Sequence, residues 1–306
     1  MTATTSGGDG RDRFAADARF ARDLAERAGK LLFERYERVG QIDMKSAKDV
    51  VTEVDHLSEA FVIAAIHEAF PGDGILAEES GAHHGPGSGA AKGTNGANGT
   101  SGSAPADDIA ERAARSLAHG RTWIIDPVDG TVNYANGIPF FCVSIGLVVD
   151  GRPAAGAVHD PMRNETFWAS ADGPAMLNDT PIHASTKDRL VDCVVHLALG
   201  GRSVATRARA VRKAIRVSRN MGSSALALAY VANGRFDGFI QTGGMSAWDV
   251  AAAGLIAERA GALVTDTAGG PWFDVAKATR TFGVTAAPAA QHAELVRLAA
   301  EPAPSR

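Results

Sequence analysis

Cysteine is nearly absent from this chain of 306 residues; Cys142 and Cys193 are the only two. Neither stands in a CxxC pair, so thiol-based redox and zinc motifs are excluded, and the scarcity fits a reducing compartment. A strong excess of one charge is also missing. Lys and Arg number 31 against 35 Asp and Glu, a formal net charge of -4. That balance offers no broad basic surface to nucleic acid or to an anionic membrane. No basic segment followed by an apolar stretch opens the chain, and no apolar run is long enough to span a bilayer. Together these absences predict a cytoplasmic protein without membrane or nucleic-acid partners. What is present is ordinary for a soluble globular chain: 45% hydrophobic and 22% charged residues, enough for one large domain or two compact lobes.

The chain divides by composition. Residues 1–13 are polar and Gly-rich and read as a disordered tail. Apolar residues Ala21, Leu24, Ala25, Ala28, Leu31 and Leu32 recur at helical spacing, which predicts a helix from Phe14 to Arg38. A second amphipathic helix fits Val54 to Phe70 and is stopped by Pro71-Gly72. Residues 81–108 are dominated by Gly, Ser, Ala and Asn, and so little apolar surface predicts a flexible insert. His83 and His84 then belong to a solvated linker, and a short helix follows in "DIAERAARSLAHG". Beyond it, "FFCVSIGLVVDGRPAAGAVHD" reads as two strands turning at Asp150-Gly151, where a tight hairpin needs positive φ. "ETFWAS" adds a strand, and strand and helix patterns alternate from "CVVHLAL" to "LVTD". The organisation predicted is an α+β lobe over 14–185, an α/β lobe over 186–295, and a tail over 296–306.

The segment "TWIIDPVDGTVNYANGIPFF", residues 122–141, carries the chemistry. A short apolar strand ends on Asp126, with a loop expected at Pro127 and a second acid at Asp129. Acids at a strand's carboxyl end are well placed for ligands. Two carboxylates so close repel, and a divalent cation with a preference for hard oxygen ligands, Mg²⁺ or Mn²⁺, removes the conflict. Turn and cap roles compete with that reading, since DP and DG are common turn dipeptides. Two further clusters favour a metal. "GILAEES" places Glu78 and Glu79 at another strand end, and "SAWDVAAAGLIAERAG" places Asp249 at a helix start, where it could also act as an N-cap. An aspartyl-phosphate mechanism is excluded by spacing. The DxDGT motif of such phosphatases needs an acid two residues before Asp129, and Pro127 stands there. No nucleophilic triad is visible, and His67, His159, His183 and His196 read as structural or surface residues.

With these residues in view, the chain resembles the inositol monophosphatase family of lithium-sensitive, Mg-dependent phosphatases. "WIIDPVDGTVNYANGIPFF" is similar to the family's first long motif and "WDVAAAGLIAERAGA" to its second. "KDVVTEVD" and "LAEES" match two upstream motifs in order, so the likeness spans roughly residues 14 to 290. It implies the layered αβαβα sandwich of the inositol monophosphatase / fructose-1,6-bisphosphatase type. It also implies hydrolysis of a small phosphate monoester by a metal-activated water, without a covalent intermediate and with two or three Mg²⁺ ions, Mn²⁺ being a possible substitute. By resemblance, Glu78, Asp126, the Val128 carbonyl, Asp129 and Asp249 are metal ligands. Asp55, Glu78 and Thr131 are catalytic, and Gly130, Thr131, Gly222, Ser223 and Ser224 contact the substrate. A homodimer is implied as well. Two departures stand out. The insert lengthens the connection from Glu78 to Asp126. In "IQTGGMSAWD", Gln241 or Thr242 replaces the acid that receives ring hydroxyls in inositol-selective members. Inositol 1-phosphate is therefore the first substrate expected, with histidinol phosphate, a nucleotide 3′-phosphate or a non-catalytic regulatory role as alternatives.

Overall fold

The computed structural model describes residues 12–36, 42–46, 49–84, 120–274, 277 and 279–300. Helix α1 (Ala15–Arg35) buries Ala18, Ala21, Leu24, Ala25, Ala28 and Leu32, the stripe its spacing predicts. It ends three residues short of Arg38. Strands β1 (Ile42–Ser46) and β2 (Asp49–Thr52) form a separate antiparallel hairpin leading into α2 (Glu53–Ala69).

A large sheet follows. Its strands are β3 (Gly74–Ala77), β4 (Gly81–His84), β5 (Arg121–Asp129), β6 (Cys142–Val149), β7 (Arg152–Asp160), β8 (Glu165–Ser170), β9 (Met176–Leu177) and β10 (Thr180–Pro181). Among the described residues their order is β10-β9-β8-β7-β6-β5-β3-β4, and only β3 and β5 run parallel. The turn between β6 and β7 is at Asp150 (φ 48) and Gly151 (φ 77), the two positive φ values a two-residue hairpin requires. A second sheet has the order β12-β11-β13-β15-β14. It comprises β11 (Val194–Ala198), β12 (Val217–Arg219), β13 (Gly238–Met245), β14 (Leu263–Asp266) and β15 (Phe282–Ala287).

Helices separate and cover the sheets. The first is α3 (Thr131–Ala135), a short turn after β5. The others are α4 (Val204–Ala214), α5 (Ser224–Ala229), α6 (Ala247–Arg259) and α7 (Ala289–Ala299). Strand alternation sorts the core into layers. Trp123 and Ile125 of β5 face α1 and α2, together with Val143, Ile145 and Ala157. Ile124 faces the other way, into a cluster with α5, α6 and the inner face of the second sheet. Val195, Leu197 and Ile240 face outward against Val211 and Leu295 of α4 and α7. Two sheets flanked by helices, with α5 and α6 between them, make the αβαβα arrangement expected.

Several expectations need correction. Strand β5 does not stop before Pro127; it continues to Asp129 through an irregularity opposite β6. Residues 81–84 are not part of a linker but form β4, an edge strand paired antiparallel with β3. His83 lies on it, its Nε2 2.6 Å from the Ser80 hydroxyl. The rest of the Gly-rich run and "DIAERAARSLAHG" up to His119 lie outside the described residues. At the ends, Asp12 and Arg13 are engaged with β8 and beyond: Ser170 donates to Asp12 at 2.5 Å, and Arg13 pairs with Asp172 at 2.8 Å. Helix α7 runs to Ala299, four residues past the boundary expected, because Leu295 and Ala299 close the outer core.

Candidate active site

The irregularity in β5 answers why two acids stand three residues apart. In an unbroken strand, side chains alternate, and Asp126 and Asp129 would point to opposite faces. Here Asp126 pairs with Ser144 and Asp129 with Cys142, so β5 spends one residue more than β6. That is a β-bulge, and Pro127 inside it has no ladder hydrogen bond to lose. The extra residue restores both carboxylates to one side. The Val128 N–H then donates to Asp126 Oδ1 at 3.1 Å, which fixes the bulge from within.

Asp249 comes from α6, 120 residues further on in the chain. It occupies the third position of that helix and forms a capping box with Ser246, whose backbone N–H donates to Asp249 Oδ2 at 2.6 Å. The capping role and the site role coincide. Carboxylate oxygens of Asp126, Asp129 and Asp249 all lie within 4.8 Å of one another, and Asp126 and Asp129 are buried. Glu78, the residue after β3, is hydrogen-bonded to Asp126. A cavity of about 170 Å³ opens on this cluster, lined by Glu78, Asp126, Val128, Asp129, Thr131 and Asp249, with Gly130, Val132 and Gly222 at its rim.

The electrostatics follow from that crowding. Burial, then the charges of Glu78, Asp129 and Asp249, push the Asp126 carboxyl well above the ordinary carboxylate range. Asp249 is pushed well up by burial and then by Asp129. Burial raises Asp129 too, against a set of donors that favour its charged form. Ser223 donates its hydroxyl to Asp129, and the N–H groups of Ser224 (3.2 Å) and Ala225 (2.7 Å) at the start of α5 do the same. Four acids converging in a buried pocket form an all-oxygen donor set that a divalent cation fits and that no softer metal prefers.

Other expected residues fall around this cluster. Asp55, fully buried on α2, accepts from the Thr131 hydroxyl at 3.1 Å. The same hydroxyl lies 3.0 Å from the Val128 carbonyl oxygen, so one proton has two acceptors. Gly130 caps α3 with φ 99, and a Cβ there would press on the Phe140 carbonyl and Ser223 at 3.2 Å. Ser224 sits beside the cavity with its hydroxyl donating to Gln241 Oε1 at 3.1 Å. Ser223 is buried and turned toward Asp129. Thr242 takes a backbone hydrogen bond from Gly200 at 2.8 Å. Of the two residues standing where an acid was expected, Gln241 is the one tied to the Gly222–Ser224 loop, and neither lines the acid-cluster cavity.

A model of the inositol monophosphatase family matches residues 16–302. The chain belongs to the inositol monophosphatase family. A Nus factor SuhB of Pasteurella multocida is 37% identical over 256 residues, with 80% of this chain and 83% of the relative covered. An inositol monophosphatase of Mesembryanthemum crystallinum is 32% identical over 254 residues, with 81% and 84% covered. Among solved structures, the extragenic suppressor protein suhB of Bartonella henselae superposes with a TM-score of 0.77 at 29% identity, covering 94% of this chain and 99% of that one. Like its family, this protein is a phosphatase; the family is metal-dependent, and this chain brings Asp126, Asp129 and Asp249 together in an acidic cluster. No helix among its described residues is long and apolar enough to cross a membrane.

This member of the inositol monophosphatase family also carries supporting residues that sequence reading missed. Glu59, one turn after Asp55 on α2, accepts from the Glu79 N–H at 2.8 Å and so fixes the strand end that presents Glu78. Asn133 donates to the Phe140 carbonyl at 2.6 Å and the Met221 carbonyl at 2.7 Å, tying α3 to the Gly222 loop. Ser144 donates to the Trp248 carbonyl at 3.1 Å, which fixes the residue before Asp249. An acid on a helix's inner face is the only sequence signal for Glu59; the others carry none. Neither cysteine is a nucleophile at neutral pH. Burial and Asp129 push the Cys142 thiol well up, and burial takes Cys193 to about 11.

Proposed function

We propose that the protein hydrolyses small phosphate monoesters with Mg²⁺, Mn²⁺ being a substitute, and that inositol 1-phosphate is among its substrates. The observation that carries this reading is the convergence of Asp126, Asp129 and Asp249 within 4.8 Å, from segments far apart in the chain, beside Glu78 and Thr131. A buried set of repelling carboxylates costs stability and has no structural use without a cation. Cations held by Glu78, Asp126, the Val128 carbonyl, Asp129 and Asp249 would supply Lewis acidity toward phosphate oxygens and a nucleophile at neutral pH.

The protein's own groups do the rest. Asp55 takes the Thr131 proton, which leaves a Thr131 lone pair to accept from the attacking water. Gly130 and Thr131 offer backbone N–H groups to the phosphate, and the Gly222–Ser224 loop borders the leaving group. Ser223 acts through Asp129, holding that carboxylate in its charged form. Among the described residues no Ser, Cys or His nucleophile lines the acid-cluster cavity. A homodimer and a cytoplasmic location belong to the same proposal.

The Nus factor name of relatives such as that of P. multocida raises a regulatory role. The complete acid set favours catalysis, whether or not such a role exists beside it. The test is phosphate release from inositol 1-phosphate, histidinol phosphate and adenosine 3′-monophosphate. Release should require Mg²⁺, stop with a chelator and resume on adding the metal back. No release from any monoester at saturating Mg²⁺ would overturn the reading.

A further inference from the structure

A second cavity, of about 380 Å³, lies next to the acid cluster. It lies where the parallel pairing of β11 with β12 and β13 stops, with Asn220, Gly200 and Gln241 in its lining. A crevice at the carboxyl ends of parallel strands is a common ligand position in α/β sheets. Hydrogen bonds link it to the acid cluster: Gln241 lines the crevice and accepts from Ser224, whose backbone N–H donates to Asp129. Asn220 lines the crevice too, two residues before Gly222 at the catalytic rim.

The charge of this neighbourhood is one-sided. From Cys193 to Phe236 the sequence contains no Asp or Glu, while Arg and Lys recur through α4 and the strand after it. Most of these cations point to solvent or brace the backbone; Arg207, for example, is buried against the Ala299 carbonyl at 2.8 Å. Arg212 is exposed as well, but it lines the crevice, and its Nε donates to Ser218 Oγ at 3.3 Å. Among the described residues no carboxylate lines this crevice.

We propose that the crevice receives a second anionic group of the substrate, a phosphate or a carboxylate, and that Arg212 is the residue that selects for it. A guanidinium with its planar fork of donors pairs with either anion, and the Asn220 and Gln241 amides suit hydroxyls between the two ends. A neutral polyol phosphate is hydrolysed but leaves Arg212 without an anionic partner. A substrate carrying an ammonium, such as histidinol phosphate, meets like charge. This inference rests on the phosphatase reading above and sharpens its substrate class.

Three matched substrates test it: glucose 1-phosphate, glucose 1,6-bisphosphate and glucuronic acid 1-phosphate, with loss of the 1-phosphate followed by phosphorus NMR. At least one of the two compounds with a distal anion should show a KM about tenfold below that of glucose 1-phosphate, and which one does identifies the anion. Arg212→Gln should erase that advantage, seen as a fall of about tenfold in the ratio of kcat/KM values. Arg209→Gln, an exposed cation on the same helix outside the crevice, should not change the ratio. No advantage for either anionic compound overturns the proposal. So does an advantage that survives Arg212→Gln, or one that Arg209→Gln removes equally. If none of the three is hydrolysed, release from inositol 1-phosphate decides the phosphatase reading separately, and the crevice is read by calorimetric titration with glucose 6-phosphate. Wild type should then bind about tenfold tighter than Arg212→Gln, and equal affinities overturn the assignment.

Discussion

Asp55 and Thr131 are 76 residues apart in the chain and 3.1 Å apart in the fold. The Thr131 hydroxyl is a weak base by itself, and Asp55 is the buried partner that can take its proton. Asp55→Asn and Thr131→Val should each lower kcat by about 10²-fold, the usual scale of acid–base assistance. The double variant should be little worse than either single one, since residues acting as a unit are not additive. Steady-state kinetics at saturating Mg²⁺ decides it: losses that multiply would show separate roles. At this scale much was legible in the sequence. Asp126, Asp129, Asp249 and Glu78 stand beside apolar runs in motifs that can be picked out, although turn and cap roles compete there and Asp249 does cap α6. Ser223 does not stand out, because whether a serine in "GSS" faces a substrate or a carboxylate depends on the rotation of a loop. Glu59 offers only the signal of an acid on a helix's inner face, since its partner is the backbone N–H of Glu79, just past β3.

Helix α6 must approach β6 and β7 closely for Asp249 to meet Asp126 and Asp129. Its alanines rest on glycines: a Cβ at Gly156 would lie 2.8 Å from the Cα of Ala252, and one at Gly146 3.1 Å from the backbone of Ala252. Gly156→Ala therefore forces the helix backbone, not a flexible side chain, to move. Overpacking of this kind costs about 1–3 kcal/mol. Lifting α6 also displaces Asp249, so the Mg²⁺ concentration for half-maximal activity should rise together with a fall in the urea midpoint. Unchanged metal dependence in a destabilised Gly156→Ala protein would show that this contact supports the fold without setting the site. The run "VAAAG" shows that α6 is a helix in a small-residue environment, but its glycine partners on β6 and β7 cannot be read from the chain. The same holds for β4. Its residues look like the start of a Gly-rich linker, and only pairing with β3 makes them a strand.

The whole molecule stacks five layers, and its buried histidines make those layers sensitive to acid. Burial holds His159 and His196 down to about 4, and His159 lies 2.9 Å from the Thr166 hydroxyl while His196 stacks on Phe239 at 4.8 Å. An unfolded histidine titrates near 6.5, so between about 6.5 and 4 the unfolded chain binds protons that the folded one does not. Stability from this source is complete above 6.5 and is lost as the pH falls toward 4, by up to about 3 kcal/mol for each histidine. His159→Gln should flatten that loss in urea titrations between neutral pH and the acid limb; an unchanged slope would show that the ring is protonated in place. The alternating strand and helix patterns gave a sheet-plus-helix second lobe and the family resemblance implied the layering, whereas the pairing of sheets across α5 and α6 depends on contacts that no local pattern encodes. The central claim is that the acid cluster at the strand ends is a divalent-metal phosphatase centre. Its most direct test is phosphate release from inositol 1-phosphate against Mg²⁺ concentration, for wild type and for a folded Asp126→Asn variant. Wild type should show saturable, Mg²⁺-dependent release and Asp126→Asn almost none at any Mg²⁺ concentration, while wild-type-like turnover in the variant would contradict the account.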